Sequence, residues 1–130
     1  MSQQPPTAIC YHQKSRVLEV EFGADGTFDL PAEYLRVYSP SAEVRGHGPG
    51  QEVLQVGKEN VRINAIEPVG NYAVKLVFDD GHDSGLYTWE ELNALGQHRE
   101  QRWADYLERL EQAGHRRKPQ LNVVDVTHNG

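Results

Sequence analysis

Hydrophobic positions in this chain come in short runs broken by polar turns, and strand formers gather in two stretches before a helical end. From Ala8 to Phe22, Val17, Leu18, Val20 and Phe22 follow a polar turn at Gln13-Lys14-Ser15, which predicts a hairpin. Gly23-Ala24-Asp25-Gly26 is a turn, and Thr27–Leu30 resumes a brief extended segment before Pro31. Residues 61–68 and 72–78, joined by Val69-Gly70-Asn71, read as antiparallel neighbours. Their alternation sets Ala73, Lys75 and Val77 on one face and Val74, Leu76 and Phe78 on the other. A polar turn over 79–83 and a short return strand at 84–87 complete a meander.

The helical signals are equally local. Pro31 suits a first helical turn, and Tyr34, Leu35 and Tyr38 recur at the spacing of one helix face, so a helix is expected over 32–38 until Ser39-Pro40 stops it. Residues 45–50, Arg-Gly-His-Gly-Pro-Gly, are expected to form a loop. Thr88-Trp89-Glu90-Glu91 is a capping box, with the Glu91 carboxylate expected to reach back to the cap. A helix should start at Trp89, pause at Gly96 and continue over about 97–113, with Gly114 as its stop. The stripe Trp103, Tyr106, Leu107 and Leu110 is expected to cover the sheet. The class is α+β: a small antiparallel β-sheet of hairpins and a meander, a short helix near 32–38, and a C-terminal helical segment near 89–113 packed on it. Residues 8–115 form a single domain, with 1–7 and 116–130 expected to be flexible.

Composition narrows the function classes. Hydrophobic residues make up 38% and charged residues 25% of 130, ordinary values for a protein that folds in water. The first residues, Met1-Ser2-Gln3-Gln4-Pro5-Pro6, lack a basic and apolar leader, and no apolar run reaches the ~18 residues of a membrane span, so the cytoplasm is expected. One cysteine, Cys10, excludes an internal disulfide and any zinc site of several thiolates; between Ile9 and Tyr11 in a strand, it is expected to be a small buried hydrophobe. A net charge of −6 argues against nucleic acid, since only Arg116-Arg117-Lys118 is a local basic cluster.

No complete catalytic constellation can be assembled. The glycines at 46–50 are followed by Gln51-Glu52, where a phosphate-binding loop needs lysine and a hydroxyl. No His-x-Asp pair and no His-Glu-x-x-His motif occurs, which removes the usual iron oxygenase and zinc hydrolase patterns. Ser39 and Ser41 flank Pro40 in a turn pattern, with no base identifiable in the sequence to activate either. Each of the six histidines is expected to be solvated. If a metal binds, His82 and His47 are the candidate ligands, with Glu43 or Asp80 completing a site for zinc or iron.

Three segments in fixed order carry a resemblance. They are Leu30–Arg36 leading into Ser39-Pro40-Ser41-Ala42-Glu43-Val44-Arg45-Gly46-His47-Gly48-Pro49, the strand 73–78 into Asp80-Gly81-His82, and Ser84-Gly85-Leu86-Tyr87-Thr88-Trp89. Over roughly residues 10–115 the chain resembles the gamma-butyrobetaine hydroxylase-like N-terminal domain. In the carnitine-pathway dioxygenases that domain precedes an iron and 2-oxoglutarate catalytic domain, which this sequence lacks, so no enzyme activity is expected. The resemblance also implies a zinc site of three cysteines and a histidine. The cysteine positions fall on Ser39, Ser41 and Val44 and the histidine on His82, so three of four ligands have become residues that hold zinc poorly or not at all. The domain type is similar, too, to a segment of P-loop iron–sulfur cluster carriers. The expectation is a non-catalytic binding or adaptor module for a protein partner, without nucleic acid or membrane. Its recognition surface would be Ser39, Ser41, Glu43, Arg45, His47 and Asp80. The alternative is an iron- or zinc-binding protein linked to iron–sulfur metabolism.

Overall fold

In the computed structural model, residues 4–46 and 50–118 are described, and the chain is α+β. Strands β1 (Ala8–His12), β2 (Val17–Glu21) and β3 (Thr27–Pro31) form one antiparallel sheet in the order β1-β2-β3. Strands β4 (Ile63–Val69), β5 (Ala73–Phe78) and β6 (Leu86–Thr88) form a second in the order β4-β5-β6. The hairpin and the meander foreseen from alternation are thus separate sheets, and the segment after Gly26 pairs with β2 through Leu18 opposite Leu30 and Val20 opposite Phe28. Pro68 lacks a ladder donor and sits on β4, an edge strand.

Both sheets feed one core. Leu18, Val20 and Leu30 of the first sheet and Val74, Leu76, Phe78 and Tyr87 of the second are buried in the same cluster. Cys10 is not part of it. The two-residue period of β1 turns Ile9 and Tyr11 toward the core and leaves Cys10 exposed beside Ala8 and His12, correcting the expectation of a buried thiol.

Helix α1 (Ala32–Val37) is buried on every side, all six residues included, with Tyr38 as its C-cap. A helix this short does not persist on its own backbone bonds. Here Tyr34 Oη donates to the Leu95 carbonyl at 2.7 Å and Tyr87 Oη to the Leu35 carbonyl at 2.5 Å. Part of the expected glycine loop is helical as well: α2 (Ala42–Arg45) starts where Ser41 Oγ accepts from the Glu43 amide at 3.2 Å. Gly46 then turns the chain at φ +72°, where a Cβ would stand 2.1 Å from the Gln51 carbonyl oxygen. His47 lies outside the described residues.

Thr88 caps α3 (Trp89–Gln97) by accepting from the Glu91 amide at 3.1 Å, as the capping box foresees. The Glu91 carboxylate goes elsewhere, to Arg45 at 2.8 Å and Arg102 at 3.6 Å. The break before α4 (Arg99–Gln112) falls at His98 rather than at Gly96. Gly96 lies within α3, and the Phe28 ring takes the space a side chain there would need, with its Cγ 2.3 Å from where a Cβ would be. The α4 stripe departs from expectation in two ways. Tyr106 and Leu110 bury against Val37 of α1 in a small second cluster, and Leu107 remains 40% exposed. Past α4, Arg117 grips the Glu33 carboxylate through two hydrogen bonds of 2.7 and 2.5 Å and stacks on Trp103. The remainder of the foreseen flexible ends, residues 1–3 and 119–130, lies outside the described residues. Among the described residues no helix is long and apolar enough to cross a membrane.

Candidate functional site

Two turns that are distant in sequence meet at one end of the second sheet. One joins α1 to α2 and carries Ser39 and Ser41, with Glu43 in the first turn of α2; the other joins β5 to β6 and carries Asp80, His82 and Ser84. His82 is only 4% exposed, and both ring nitrogens are engaged: Nε2 with Ser39 Oγ at 2.8 Å and Nδ1 with Glu43 Oε2 at 3.0 Å. A carboxylate only accepts, so Nδ1 carries the proton and Nε2 accepts from the Ser39 hydroxyl. Ser39 Oγ in turn accepts from the Ser41 amide at 3.2 Å, and the Ser41 and Ser84 hydroxyls pair at 2.7 Å. Gly85 lies directly against this network, with a hypothetical Cβ 2.4 Å from Ser39 Oγ.

The electrostatics fit that proton arrangement. Burial lowers the His82 pKa and the nearby Arg36 guanidinium lowers it further, against the opposing pull of Glu43, so the ring is neutral at neutral pH. Asp80 is the charged partner. Burial pushes its carboxyl up, but hydrogen bonds from Lys58 Nζ at 2.6 Å, the His82 amide at 3.1 Å and Arg36 Nε at 2.8 Å outweigh that and bring it to about 2. Arg36 is 7% exposed, and its Nη1 has no hydrogen-bond partner among the described residues.

Serine, histidine and carboxylate in a row are the order of an activated nucleophile, and the base that the sequence did not reveal for Ser39 is here. The environment is wrong for attack, because Ser39 is 0% exposed and its hydroxyl is enclosed by His82, Ser41 and Gly85. The same contacts correct the expectation of a solvated His82. Of the other recognition residues, Ser41 is 6% exposed, the Glu43 side chain is 69% exposed, and Arg45 is held by Glu91. A pairing of Ser39 with His82 spans 43 residues of sequence, and no local pattern signals it.

The class defined by this arrangement is a small α+β module whose buried polar end ties a helix-to-helix turn to a strand-to-strand turn. The chain belongs to the gamma-butyrobetaine hydroxylase-like, N-terminal family, whose model matches residues 9–93. It is 30% identical over 96 residues to the chloroplastic Fe-S cluster assembly factor HCF101 of Oryza sativa subsp. japonica; that match covers 72% of this chain and 18% of the assembly factor's length. A protein with an NMR solution structure is 52% identical and superposes with a TM-score of 0.78, over 95% of this chain and 97% of its own. A crystal structure of a protein of unknown function in the DUF971 family, from Acidithiobacillus ferrooxidans, is 38% identical. It matches with a TM-score of 0.61 over 74% of this chain and 97% of its own.

The zinc site that the family resemblance implies can be tested against these side chains. Two of its three cysteine positions carry hydroxyls already engaged, Ser39 Oγ with His82 Nε2 and Ser41 Oγ with Ser84 Oγ, and the third carries Val44, a buried alkyl group. Among the described residues no group of three or more His, Cys, Asp and Glu side chains is placed to hold a metal ion. That donor set does not fit tetrahedral thiolate-bound zinc.

Proposed function

We propose that this chain is a non-catalytic binding module that docks a protein of iron–sulfur cluster assembly on the end built from residues 39–46 and 79–84. One observation carries the reading: the chemically capable groups there are turned inward and satisfied by one another, while Glu43 projects from the same network into solvent. A reactive site needs an accessible nucleophile or an open coordination position. A recognition site needs a rigid scaffold under an exposed polar group. The similarity to an Fe-S cluster assembly factor supports the choice of partner class.

The test is a titration of isotopically labelled protein with a purified P-loop cluster carrier from the same organism, followed by amide shifts. Shifts centred on 41–46 and 79–84, lost in Glu43→Lys with the fold intact, are the expected result. Absence of binding, or shifts confined to the opposite end, would overturn it. A second reading, as an iron- or zinc-binding protein, is favoured by the His82 Nδ1 to Glu43 pairing, which puts two potential ligands 3.0 Å apart. It requires stoichiometric metal in untagged protein by elemental analysis, lost in His82→Ala.

A further inference from the structure

Beside that end, and sharing its α2 wall, lies an open cleft of about 490 Å³ between α1, α2, the 52–55 segment and α4. Its floor is apolar, made by Val37, Val44 and Leu54, and the apolar surface does not stop at the rim. Val53 at 51% and Val56 at 42% exposed carry it onto the exterior. A cavity for a small molecule closes around its ligand. This surface runs outward along a stretch of chain, which suits an elongated occupant.

The charge around the cleft runs against the charge of the molecule. The chain as a whole is −6. Yet Arg102 and Arg109 both stack on the Tyr38 ring, at 5.9 and 5.6 Å, with Arg45 on the α2 side. Arg45 and Arg102 share one carboxylate, Glu91, and Arg109 forms no ion pair among the described residues; its Nη2 bonds only the neutral Tyr38 hydroxyl, at 3.3 Å. Glu52 is the single acidic residue on the described lining, against the two guanidinium groups of Arg45 and Arg109. Guanidinium groups stacked on an aromatic ring are held in place and keep donors free for a carboxylate.

We propose that this cleft receives an acidic, amphipathic segment of a protein partner, with apolar side chains on Val44, Val53 and Leu54 and carboxylates on Arg45 and Arg109. The inference rests on the binding-module reading and names the chemistry of the partner. Its recognition mode is a groove that takes apolar anchors and reads charge at the rim.

The experiment uses two fluorescein-labelled amphipathic peptides with leucine on one helical face, one bearing glutamate on the other face and its counterpart bearing lysine. Fluorescence anisotropy should show the glutamate peptide binding at least about tenfold more tightly than the lysine peptide, with the difference shrinking as salt rises. Arg109→Gln with Arg45→Gln should abolish the preference, and Val53→Asp, at an exposed position, should weaken the glutamate peptide while leaving the melting temperature unchanged. Amide shifts should centre on residues 44 and 53–55. Equal binding of the two peptides, no binding of either, or a preference that survives the arginine changes would overturn the proposal. The two readings fail separately. A cluster carrier whose binding is lost in Glu43→Lys but is indifferent to Arg45, Arg109 and Val53 keeps the module reading and sinks the cleft.

Discussion

At the C-terminal end of α1, beside the Arg36–Asp80 ion pair, the Ser39–His82 network is neutral and its members complete one another, whereas at the N-terminal end a buried carboxylate depends on a single cation from the far end of the chain. Ser39 and His82 are 0% and 4% exposed and are joined through hydroxyl, imidazole and amide. Glu33 is also 4% exposed, yet its charge is met by Arg117, contributed from 84 residues away. The neutral network costs little to bury once every donor has an acceptor. The ionic clamp carries a desolvation penalty that only the bidentate geometry offsets, and removal of either partner exposes that penalty in full. Six residues of helix are therefore held by two devices that should fail differently.

The largest effect is expected at the ionic end. Arg117→Met leaves the Glu33 carboxylate buried without its cation and should cost about 2–3 kcal/mol in urea unfolding, below the fully buried range because water reaches Arg117. Adding Glu33→Gln should recover most of that loss. A double variant as unstable as the single would contradict the account. At the neutral end, Ser39→Ala removes the donor to His82 Nε2 and the acceptor for the Ser41 amide, for about 1–3 kcal/mol. Ser39→Ala with His82→Leu should lie closer to wild type than the sum of the two single changes, because no unpaired polar atom remains.

The third prediction separates two groups of the C-terminal end, His82 and Asp80, by pH. The folded-state pKa of His82 lies below its unfolded value of 6.5, so the unfolded chain takes up the proton first. Stability is then intact above about pH 6.5 and falls as pH drops, by at most about 1.4 kcal/mol per pH unit. Asp80 adds its own loss lower down. Its pKa near 2 against 3.8 gives stability that is present above pH 3.8 and lost as pH falls toward 2. Melting curves of His82→Gln should lack the upper limb and keep the lower one. The smallest effect is expected for Glu43→Gln, exposed at the rim: a change within about 0.5 kcal/mol, so that any marked loss of partner binding would be a recognition effect.

The strands and helices were legible because their evidence is local. Two-residue alternation marks β2 and β5, and Thr88 with Glu91 marks the start of α3, where the cap hydroxyl is found on the Glu91 amide. The Glu91 carboxylate was misassigned because Arg45 and Arg102 approach it only in the folded chain. Gly96 reads as a helix stop by propensity, and the Phe28 ring that needs its bare Cα comes from β3. The family resemblance pointed to positions 39, 41, 44 and 82, and the structure joins Ser39 to His82. What replaces thiolate chemistry there was not readable. The Ser39–His82–Glu43 row depends on two turns meeting, and serine, glutamate and histidine in turns carry no signature of their own.

The Arg117–Glu33 clamp also sets a timetable. During synthesis at about 5–20 residues per second, roughly 4–17 s pass between the addition of Glu33 and that of Arg117. For that interval the buried helix has a carboxylate with no counter-charge, so the N-terminal hairpin can pair before the last stabilising contact of α1 exists. Full stability of α1 thus arrives only with nearly the last of the described residues.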